Sequence, residues 1–274
     1  MIVFPNCKIN IGLHVVGKRP DGYHNIETIF YPIPLTDALE VITGAAGQTS
    51  SVECSASGYS IPGTWQQNLC VKAYNLLKAD FGDVLPAVKL HLHKHIPMGA
   101  GLGGGSSNGA HMLLLLNNLY NLGISKPRLM AYALQLGSDC PFFIENTPSF
   151  GQGRGEDLTP IALSLKGYHL VVVNPAIHVS TAAAFAGMVA AAPAHSLLSS
   201  WQLPVHRWSQ VIQNQFEVSV FALHPEIAAI KQQLYAMGAL YASMSGSGST
   251  VYGIFQQAVP LNFPASYFTT IIAL

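Results

Sequence analysis

The chain has 274 residues, half of them hydrophobic and only 9% charged, and its 13 basic and 13 acidic residues give a formal net charge of zero. This composition excludes a disordered protein, because so much apolar surface has to be buried in a folded core. The balanced charge and the lack of a long basic run argue against nucleic acid or an anionic membrane as a partner. The longest apolar run also falls far short of the ~20 residues that a membrane span needs.

The N-terminal sequence and the cysteines indicate the cellular compartment. MIVFPNCKINIG lacks the basic segment, long apolar core and cleavage site of a secretory signal. Cys7, Cys54, Cys70 and Cys140 are widely scattered and form no CxxC pair. We therefore expect a cytoplasmic protein with reduced, mostly buried thiols rather than disulfides or a zinc site.

The first half of the chain mixes segments of strand period with segments of helix period. In chain order we predict strands over residues 8–16 and 25–33 joined as a hairpin, irregular strands and loops over 44–64, a helix over 68–80, a strand over 88–93, a buried helix over 108–119, and a helix from 125 to about 137. Pro127 suits the first turn of that last helix, and Gly137 suits its end.

The second half begins after about residue 150 with the turn-rich segment GQGRGEDLTPI. We then predict a buried strand in HLVVVNP, helical structure over 183–192, a loop over 193–204, a helix over 225–237, and a strand, a tight turn and a second strand in LYASMSGSGSTVYGIF. The pattern predicts an α+β protein, with two lobes divided near residue 150.

Residues 97–110, PMGAGLGGGSSNGA, lie between a predicted strand and a predicted helix. They match GxGxxG, but a dinucleotide fold places an acid about 20 residues further on, and no Asp or Glu occurs between Asp83 and Asp139. The GK[ST] ending of a P-loop is also missing. Glycines at a helix start let phosphate groups approach unpaired backbone N–H groups, so we favour a phosphate cradle over a purely structural glycine turn.

Two charged residues are candidates for chemistry. Asp139, in LGSDCPFF, is the first acid after Asp83 and is either a loop or capping carboxylate or a base that orients and deprotonates an attacking hydroxyl. Lys8, in PNCKIN, stands at the start of a mostly apolar strand. It is either a solvated lysine or a cation that keeps Asp139 ionised and offsets phosphate charge.

Three further motifs each keep a structural alternative. Tyr23 and His24, in RPDGYH, form a surface turn or an aromatic stacking site for a base with an imidazole beside it. SGSGST, at residues 245–250, is a hairpin turn or a turn that approaches substrate or phosphate. His91, His93 and His95 have a spacing that could bind a metal, but they lie on the polar face of a strand with no Cys or acid near them.

The chain resembles the GHMP kinase superfamily through six segments in family order: PNCKINIGLHVVGKRPDGYHNIETIF, NLCVKAYNLL, IPMGAGLGGGSSNGA, LGSDCPFF, GRGEDLTP and MSGSGSTVYGIF. RPDGYH, and LGSDCPFF followed by GRGE, are similar to the branch that phosphorylates a cytidine-bearing alcohol of the non-mevalonate isoprenoid pathway. The resemblance implies a two-lobed α+β fold, with a ribosomal protein S5 domain 2-like N-terminal lobe and a ferredoxin-like α/β sandwich as the C-terminal lobe. It implies an ATP-binding domain at residues 1–152 and a C-terminal domain at 153–274.

The resemblance also implies the roles of individual residues. Asp139 is the implied catalytic base, with Lys8 as its charged neighbour. The residues implied to bind ATP are Asn68, Pro97, Met98, Gly99, Ala100, Gly101, Leu102, Gly103, Gly104, Gly105, Ser106 and Ser107. The residues implied to bind the substrate are Tyr23, His24, Asp139, Phe185, Gly246, Ser247 and Gly248.

The same resemblance implies the cofactor and the partners. The cofactor is ATP with Mg²⁺ that the nucleotide carries, without a dedicated metal site in the protein. The partners are the small-molecule substrate and ATP, with no nucleic acid and no membrane, and the chain is a monomer or a homodimer.

The chain departs from the family pattern at three places. The first motif reads Pro-Asn-Cys-Lys instead of Pro-Ala-Lys. Asn108 stands after Ser-Ser where many members have Asp, so a carboxylate role in magnesium binding at that position is in doubt. Residues 178–215 match weakly, which leaves the assignment of Phe185 open. The alternatives are a related kinase of homoserine or mevalonate type and a catalytically silent nucleotide-binding protein.

Overall fold

The computed structural model describes residues 1–44, 51–186 and 195–274. The strands are β1 (Ile2–Val3), β2 (Asn6–Lys18), β3 (His24–Thr36), β4 (Ala38–Thr43), β5 (Val52–Gly58), β6 (Val88–Lys94), β7 (Ser149–Gln152), β8 (Asp157–Pro160), β9 (His169–Asn174), β10 (Tyr241–Met244), β11 (Val251–Phe255) and β12 (Phe268–Ala273). The α-helices are α1 (Leu69–Phe81), α2 (Gly104–Leu119), α3 (Lys126–Leu136), α4 (Cys140–Glu145), α5 (Thr181–Ala186), α6 (Leu197–Ser200), α7 (Trp208–Val211), α8 (Phe216–Leu223) and α9 (Pro225–Ala236). Within these ranges, no helix has the length and apolar character needed to cross a bilayer.

Two compact units divide the chain, and each is assembled from separate segments. The first unit contains Met1–Cys7, Pro34–Met98 and Gly103–Asn146. The second unit contains Lys8–Ile33, Gly99–Leu102 and Thr147–Leu274. The predicted domains at residues 1–152 and 153–274 stay a prediction, since the compact units interleave along the chain instead of following one boundary.

The first unit contains a four-stranded sheet and helices α1 to α4. The strand order is β1-β4-β6-β5, with β5 parallel to β6 and the other pairs antiparallel. Strand β6 buries Val88, Leu90 and Leu92 and exposes Lys89 and His93, because successive side chains of a strand point to opposite faces. Helix α2 packs against α1 and α4.

The second unit contains two four-stranded sheets, with strand orders β2-β3-β7-β8 and β10-β11-β9-β12. Its core is formed by apolar residues of the second of these sheets, of β2 and of the helices α8 and α9, among them Leu13, Val15, Val171, Val173, Phe216, Ile227, Ile230, Leu234, Val251 and Phe255. Burying each such side chain contributes about 1.5–3 kcal/mol. This core positions the turn between β10 and β11 and the inner part of β2.

Most of the predicted elements are confirmed, namely the hairpin of β2 and β3, the helices α1, α3 and α9, and the strands β6, β9, β10 and β11. Local capping explains the helix starts. The Asn68 side chain accepts a hydrogen bond from the Cys70 amide at 2.9 Å and caps α1. Helix α3 begins after Ser125, carries proline in its first turn and ends at Gly137.

Five segments differ from the prediction or add detail to it. Helix α2 begins at Gly104 rather than at 108, because Gly103 adopts a left-handed conformation that turns the chain directly into the helix. Residues 193–204, predicted as loop, contain the short helix α6, whose first turn is capped by the Ser196 hydroxyl. The irregular segment 44–64 contains the regular strand β5, and GQGRGEDLTPI forms the hairpin of β7 and β8. The helix predicted over 183–192 is partly accounted for by α5, and residues 187–194 lie outside the described part of the chain.

Candidate active site

Residues 99–102 of the glycine segment belong to the second unit and are fixed there by backbone contacts. The Lys8 amide donates to the Leu102 carbonyl at 3.0 Å, and the Thr250 amide donates to the Ala100 carbonyl at 3.2 Å. Gly101 has φ +77°, and a Cβ at this position would lie 2.0 Å from the Ser245 carbonyl oxygen. Only glycine fits there, since a side chain would be strained and would collide with backbone.

Lys8 is buried in β2 with 3% of its surface exposed. Its ammonium donates to the Asn10 amide oxygen at 2.5 Å and to the Gly101 carbonyl at 3.1 Å. It also lies 5.3 Å from the centre of the Phe30 ring, within the range of a cation–π contact. The solvated-lysine alternative is therefore wrong, and the structure places the positive charge directly beside the glycine segment.

Asn10 is absent from the residues predicted from the sequence, although it is as well positioned as Lys8. Its amide nitrogen donates to the Thr28 hydroxyl at 3.0 Å, and its backbone N–H donates to the Ser245 hydroxyl at 3.2 Å. The Tyr252 hydroxyl donates to its carbonyl at 2.8 Å. The sequence signal is a pair of polar residues two positions apart, which occupy one face of a strand that is otherwise buried and apolar.

The predicted substrate residues Gly246, Ser247 and Gly248 form the tight turn between β10 and β11. The Gly248 amide donates to the Ser245 carbonyl at 3.0 Å. The Asn214 side chain donates to the Gly246 carbonyl at 2.8 Å, and the Ser245 hydroxyl donates to the Gly101 carbonyl at 2.9 Å. The two glycine-rich segments therefore contact each other within the second unit.

The predicted substrate-binding residues Tyr23, His24 and Phe185 also lie in the second unit. Tyr23 is 57% exposed. The His24 ring is stacked on Phe185, with centroids 4.5 Å apart and an interplanar angle of 13°. Phe185 in turn packs edge-on against Phe216 in the core. A spacing of 4.5 Å leaves no gap for a base between the His24 and Phe185 rings.

The start of α2 belongs to the first unit and supplies the remainder of the glycine segment. Gly103 has φ +68°, and the Ser107 amide makes a helical hydrogen bond to the Gly103 carbonyl at 2.9 Å. The N–H groups of a first helical turn have no acceptor within the helix, and the helix dipole adds partial positive charge there. One turn further along the helix, burial lowers the pKa of His111, which favours the neutral imidazole.

Asp139 is the residue before α4 and is half-buried. The chain turns sharply here, with the Cys140 amide donating to the Gly137 carbonyl at 3.1 Å. Burial raises the pKa of the Cys140 thiol to about 12, and the neighbouring Asp139 charge acts in the same direction. Cys140 is therefore a thiol rather than a nucleophilic thiolate, and the role of Asp139 as a base stays a prediction.

Asn108 is engaged in a buried polar cluster of the first unit. Its amide donates to the Asp37 carboxylate at 2.9 Å and accepts from the Lys94 ammonium at 3.1 Å. Lys94 and Asp37 form a buried ion pair, and Asp37 also accepts from the His95 and Ile96 amides at 2.8 and 2.9 Å. The cluster connects the C-terminal end of β6 to helix α2. Both ends of the Asn108 side-chain amide are therefore engaged by this cluster.

The side chains of His91 and His93 on β6 form hydrogen bonds with serine hydroxyl groups of β5. His91 hydrogen-bonds with Ser55 through Nδ1 at 2.8 Å and with Ser57 through Nε2 at 2.9 Å, and Nδ1 of His93 hydrogen-bonds with Ser57 at 2.9 Å. Among the described residues, no group of three or more His, Cys, Asp or Glu side chains has the geometry to hold a metal ion.

The predicted site residues are thus distributed over both units. Those of the second unit are Lys8, Tyr23, His24, Gly99, Ala100, Gly101, Leu102, Phe185, Gly246, Ser247 and Gly248, and those of the first unit are Asn68, Pro97, Met98, Gly103, Gly104, Gly105, Ser106, Ser107 and Asp139. Each set combines glycine-rich backbone with one charged residue, which is the combination that phosphate handling requires.

Two family models match the chain. The GHMP kinases N terminal domain matches residues 68–146, and the GHMP kinases C terminal model matches residues 203–261. The first match contains the start of α2 and Asp139. Together with the site geometry, they define the protein as a kinase of the GHMP class.

Individual relatives narrow this class. The chain is 50% identical over 256 residues to the 4-diphosphocytidyl-2-C-methyl-D-erythritol kinase of Bacteroides thetaiotaomicron. The matched region covers 93% of this chain and 92% of the relative. The chain belongs to the family of 4-diphosphocytidyl-2-C-methyl-D-erythritol kinases.

Solved structures agree with this placement. A crystal structure of a 4-(cytidine 5'-diphospho)-2C-methyl-D-erythritol kinase superposes with a TM-score of 0.78 at 31% identity, covering 93% of this chain and 90% of the other. The mevalonate kinase of Methanococcus jannaschii superposes with a TM-score of 0.64 over 100% of this chain and 98% of the other, but at 12% identity. This second likeness shows the shared fold alone.

Proposed function

We propose that the protein transfers the γ-phosphoryl group of ATP to the tertiary 2-hydroxyl group of 4-diphosphocytidyl-2-C-methyl-D-erythritol, a step of the non-mevalonate isoprenoid pathway. The observation that carries the proposal is 50% identity with a kinase of that name along 93% of the chain. The intact Lys8, Asp139 and glycine segment support an active enzyme rather than a silent nucleotide-binding protein. RPDGYH, with its exposed Tyr23, favours a base-bearing substrate over homoserine or mevalonate.

The ATP phosphates are assigned to the glycine segment and the first turn of α2, comprising Pro97, Met98, Gly99, Ala100, Gly101, Leu102, Gly103, Gly104, Gly105, Ser106 and Ser107. Unpaired helical N–H groups bind phosphate oxygens, and glycines let the nucleotide approach the main chain. Asn68 caps α1, and its place near the nucleotide is part of the proposal.

When carried in by the nucleotide, magnesium would neutralise part of the charge of the phosphates. The residues of the chain fit this arrangement better than a protein-held ion at Asn108, because Asp37 and Lys94 already engage the Asn108 amide. In this assignment Lys8 offsets the charge of the phosphoryl group, while Asn10 orients the Lys8 ammonium.

Asp139 is assigned as the general base. The hydroxyl oxygen of the substrate forms a bond to the γ-phosphorus, the bond from that phosphorus to the bridging oxygen of ADP breaks, and the hydroxyl proton passes to the Asp139 carboxylate. ADP leaves with the electron pair of the broken bond, so no further reactant is needed.

The substrate is assigned to the second unit. Tyr23 and His24 hold the cytosine, with Phe185 as a further aromatic contact, and Gly246, Ser247 and Gly248 approach the rest of the molecule. Because His24 stacks directly on Phe185, a base that binds against Phe185 has to displace the imidazole.

We place the enzyme in the cytoplasm as a monomer or a homodimer, with ATP and the small-molecule substrate as its partners. Its domains are assigned to residues 1–152 and 153–274. The balanced charge of the chain supports the absence of a nucleic-acid or membrane partner.

The test is a steady-state phosphorylation assay with ATP, magnesium and the cytidine substrate, on wild type and Asp139→Asn. Removing a general base lowers kcat by about 100- to 10,000-fold. Asp83→Asn, at a fully exposed acid that lies 3.7 Å from the Lys78 ammonium, is the matched control and retains wild-type kcat. Equal turnover of wild type and Asp139→Asn contradicts the role of Asp139.

Competition by CMP separates this function from its alternatives. A cytidine-binding kinase is inhibited by CMP in competition with the alcohol substrate. Turnover of homoserine or mevalonate without inhibition by CMP would favour a related kinase, and no turnover of any alcohol by wild type would favour the silent nucleotide-binding protein.

A further inference from the structure

Arg154, at the tip of the hairpin between β7 and β8, covers one face of the Tyr23 ring. Its guanidinium carbon lies 5.3 Å from the ring centroid, within the range of a cation–π contact. Both residues belong to the second unit. Tyr23 nevertheless remains 57% exposed, so the guanidinium group leaves a large part of the ring accessible.

Arg154 is itself held in place by Glu156. The Arg154 backbone N–H donates to one carboxylate oxygen at 2.6 Å, and its Nε donates to the other at 3.1 Å. Gly153 has φ +69°, and a Cβ there would lie 3.1 Å from the Glu156 carboxylate. This glycine therefore allows the carboxylate to fold back over the turn, which orients the guanidinium group.

The hairpin tip is anchored next to Tyr23 in the fold. The Ile26 amide, three residues after Tyr23, donates to the Gly153 carbonyl at 2.7 Å. The Tyr23 backbone is fixed from the other side, because its N–H donates to Asp21 at 3.1 Å and its carbonyl accepts from the Arg19 amide at 2.8 Å. Backbone contacts thus fix the Cα position of Tyr23, and the ring orientation depends on what lies against its faces.

We propose that Arg154 is a positioning residue for the base of the substrate: it holds the Tyr23 ring from one side and so presents the opposite side for stacking. This inference rests on the proposed function, because it assumes that Tyr23 stacks on the cytosine. A ring that is held in one orientation loses less side-chain entropy when a base binds. Arg154 acts through Tyr23 and touches neither the reacting hydroxyl nor the phosphoryl group.

The main test compares Arg154→Met with wild type. Methionine keeps a long apolar side chain and the backbone hydrogen bond to Glu156, but it removes the cation and the Nε hydrogen bond to Glu156. Loss of an exposed cation–π contact raises KM for the cytidine substrate, and Kd for CMP measured by calorimetry, by about two- to fivefold. We expect kcat and KM for ATP to stay within about 1.5-fold of wild type, since the uniform loss of ground-state and transition-state binding changes KM alone.

Arg154→Lys tests the role of the charge. Lysine keeps a cation but lacks the planar guanidinium fork that stacks on the ring and contacts Glu156. The expected substrate KM lies between those of wild type and Arg154→Met. A KM for Arg154→Lys above that of Arg154→Met would overturn the proposal.

The decisive comparison repeats Arg154→Met in a Tyr23→Leu background. If Arg154 acts through Tyr23, the substitution changes the substrate KM no further in that background, because coupled residues are not additive. A full two- to fivefold effect in the absence of the tyrosine ring overturns the proposal, as does an equal rise in the KM values of substrate and ATP.

Arg128→Met is the matched control. Arg128 lies 5.6 Å from the Tyr132 ring and contacts Asp80, so the same kind of contact is removed from the first unit. This variant keeps the substrate KM of wild type.

The outcomes distinguish a failure of the role of Arg154 from a failure of the proposed function. Suppose that wild type turns over the cytidine substrate and that Arg154→Met has the same KM for this substrate. This result overturns the role of Arg154 but not the proposed function. Wild type that neither turns over the substrate nor binds CMP overturns the proposed function and the role of Arg154 with it.

Discussion

Two buried lysines, one in each compact unit, donate hydrogen bonds to different parts of the glycine segment at residues 97–110. Lys94 is paired with the Asp37 carboxylate and the Asn108 amide, and this cluster binds the chain just before and just after the glycines. Lys8 donates to the carbonyl of Gly101, within the glycine segment itself, and to Asn10. Lys94 is therefore paired with a buried carboxylate, whereas Lys8 lies against the backbone of the glycine segment, where we propose that phosphate binds.

This difference predicts different consequences when either charge is removed. A buried ion pair that loses one partner leaves an uncompensated charge, which destabilises the folded state. A cation beside a phosphate-binding backbone stabilises charge on the transferred group, so its loss lowers the rate. Substitutions at matched positions can therefore sharpen or break the comparison.

Lys94→Met should have the largest effect, on folding. Because the Asp37 carboxylate is left buried without its cation, we expect the free energy of unfolding to fall by about 3–5 kcal/mol, measured by urea denaturation. The double variant Lys94→Met with Asp37→Asn removes both charges and should recover part of that loss, since an asparagine oxygen can still accept from the backbone amides of residues 95 and 96. Unchanged stability of the single variant would break the comparison.

Lys8→Met should act mainly on turnover. We expect kcat to fall by about 100- to 1,000-fold, the usual effect of removing one stabilising charge or donor from a transition state. Stability should fall less than in Lys94→Met, by about 1–3 kcal/mol for the buried oxygen acceptors that lose their donor. Lys166→Met, at an exposed lysine, is the control for both readouts. If Lys8→Met unfolds as easily as Lys94→Met but keeps its kcat, the assignment is wrong.

Tyr23→Ala should raise KM for the cytidine substrate while leaving KM for ATP close to wild type. Stacking of a base on an aromatic ring is worth about 1–3 kcal/mol, which corresponds to about a 5- to 150-fold increase. Initial rates measured over a grid of both substrate concentrations give the two constants. A larger change in the KM for ATP than for the cytidine substrate would refute the placement of the base at Tyr23.

Gly101→Ala should destabilise the glycine segment. A left-handed conformation costs a residue with a Cβ about 1–2 kcal/mol, and the contact with the Ser245 carbonyl adds to this cost. Gly105→Ala is the matched control for thermal unfolding, because Gly105 is helical and a Cβ there meets nothing within 4 Å. That variant should be as stable as wild type or more stable, since alanine favours helix. Equal melting temperatures of the two variants would contradict the close approach at Gly101.

Local sequence patterns predicted much of the secondary structure. Alternation predicted β6, whose Val88, Leu90 and Leu92 are buried, and the signals at Ser125 and Gly137 predicted the bounds of α3. The start of α2 was less predictable, because glycine has low helix propensity. The four residues GGSS nevertheless form the first turn of the helix. Tertiary packing of the first helical turn overrides propensity there.

The polar contacts of the site were harder to predict than its motifs. Asp37 and Lys94 are 57 positions apart and meet only because β4 and β6 pair in register. Asn10 meets Ser245 across 235 positions. Neither pair has a local signal stronger than an isolated polar residue in an apolar strand, because the partner is chosen by sheet pairing and packing rather than by neighbouring residues.

The sequence by itself determined the kinase class, the strand and helix periods, and the glycine-rich segments, because each of these depends on residues close together along the chain. Only the tertiary structure decided that Lys8 and Lys94 have different partners, that Asn108 faces Asp37, that His24 lies on Phe185, and that Arg154 covers Tyr23. Those contacts join residues that are distant in sequence, and the energy of a buried charge or an aromatic face depends on the atoms that surround it in the folded chain.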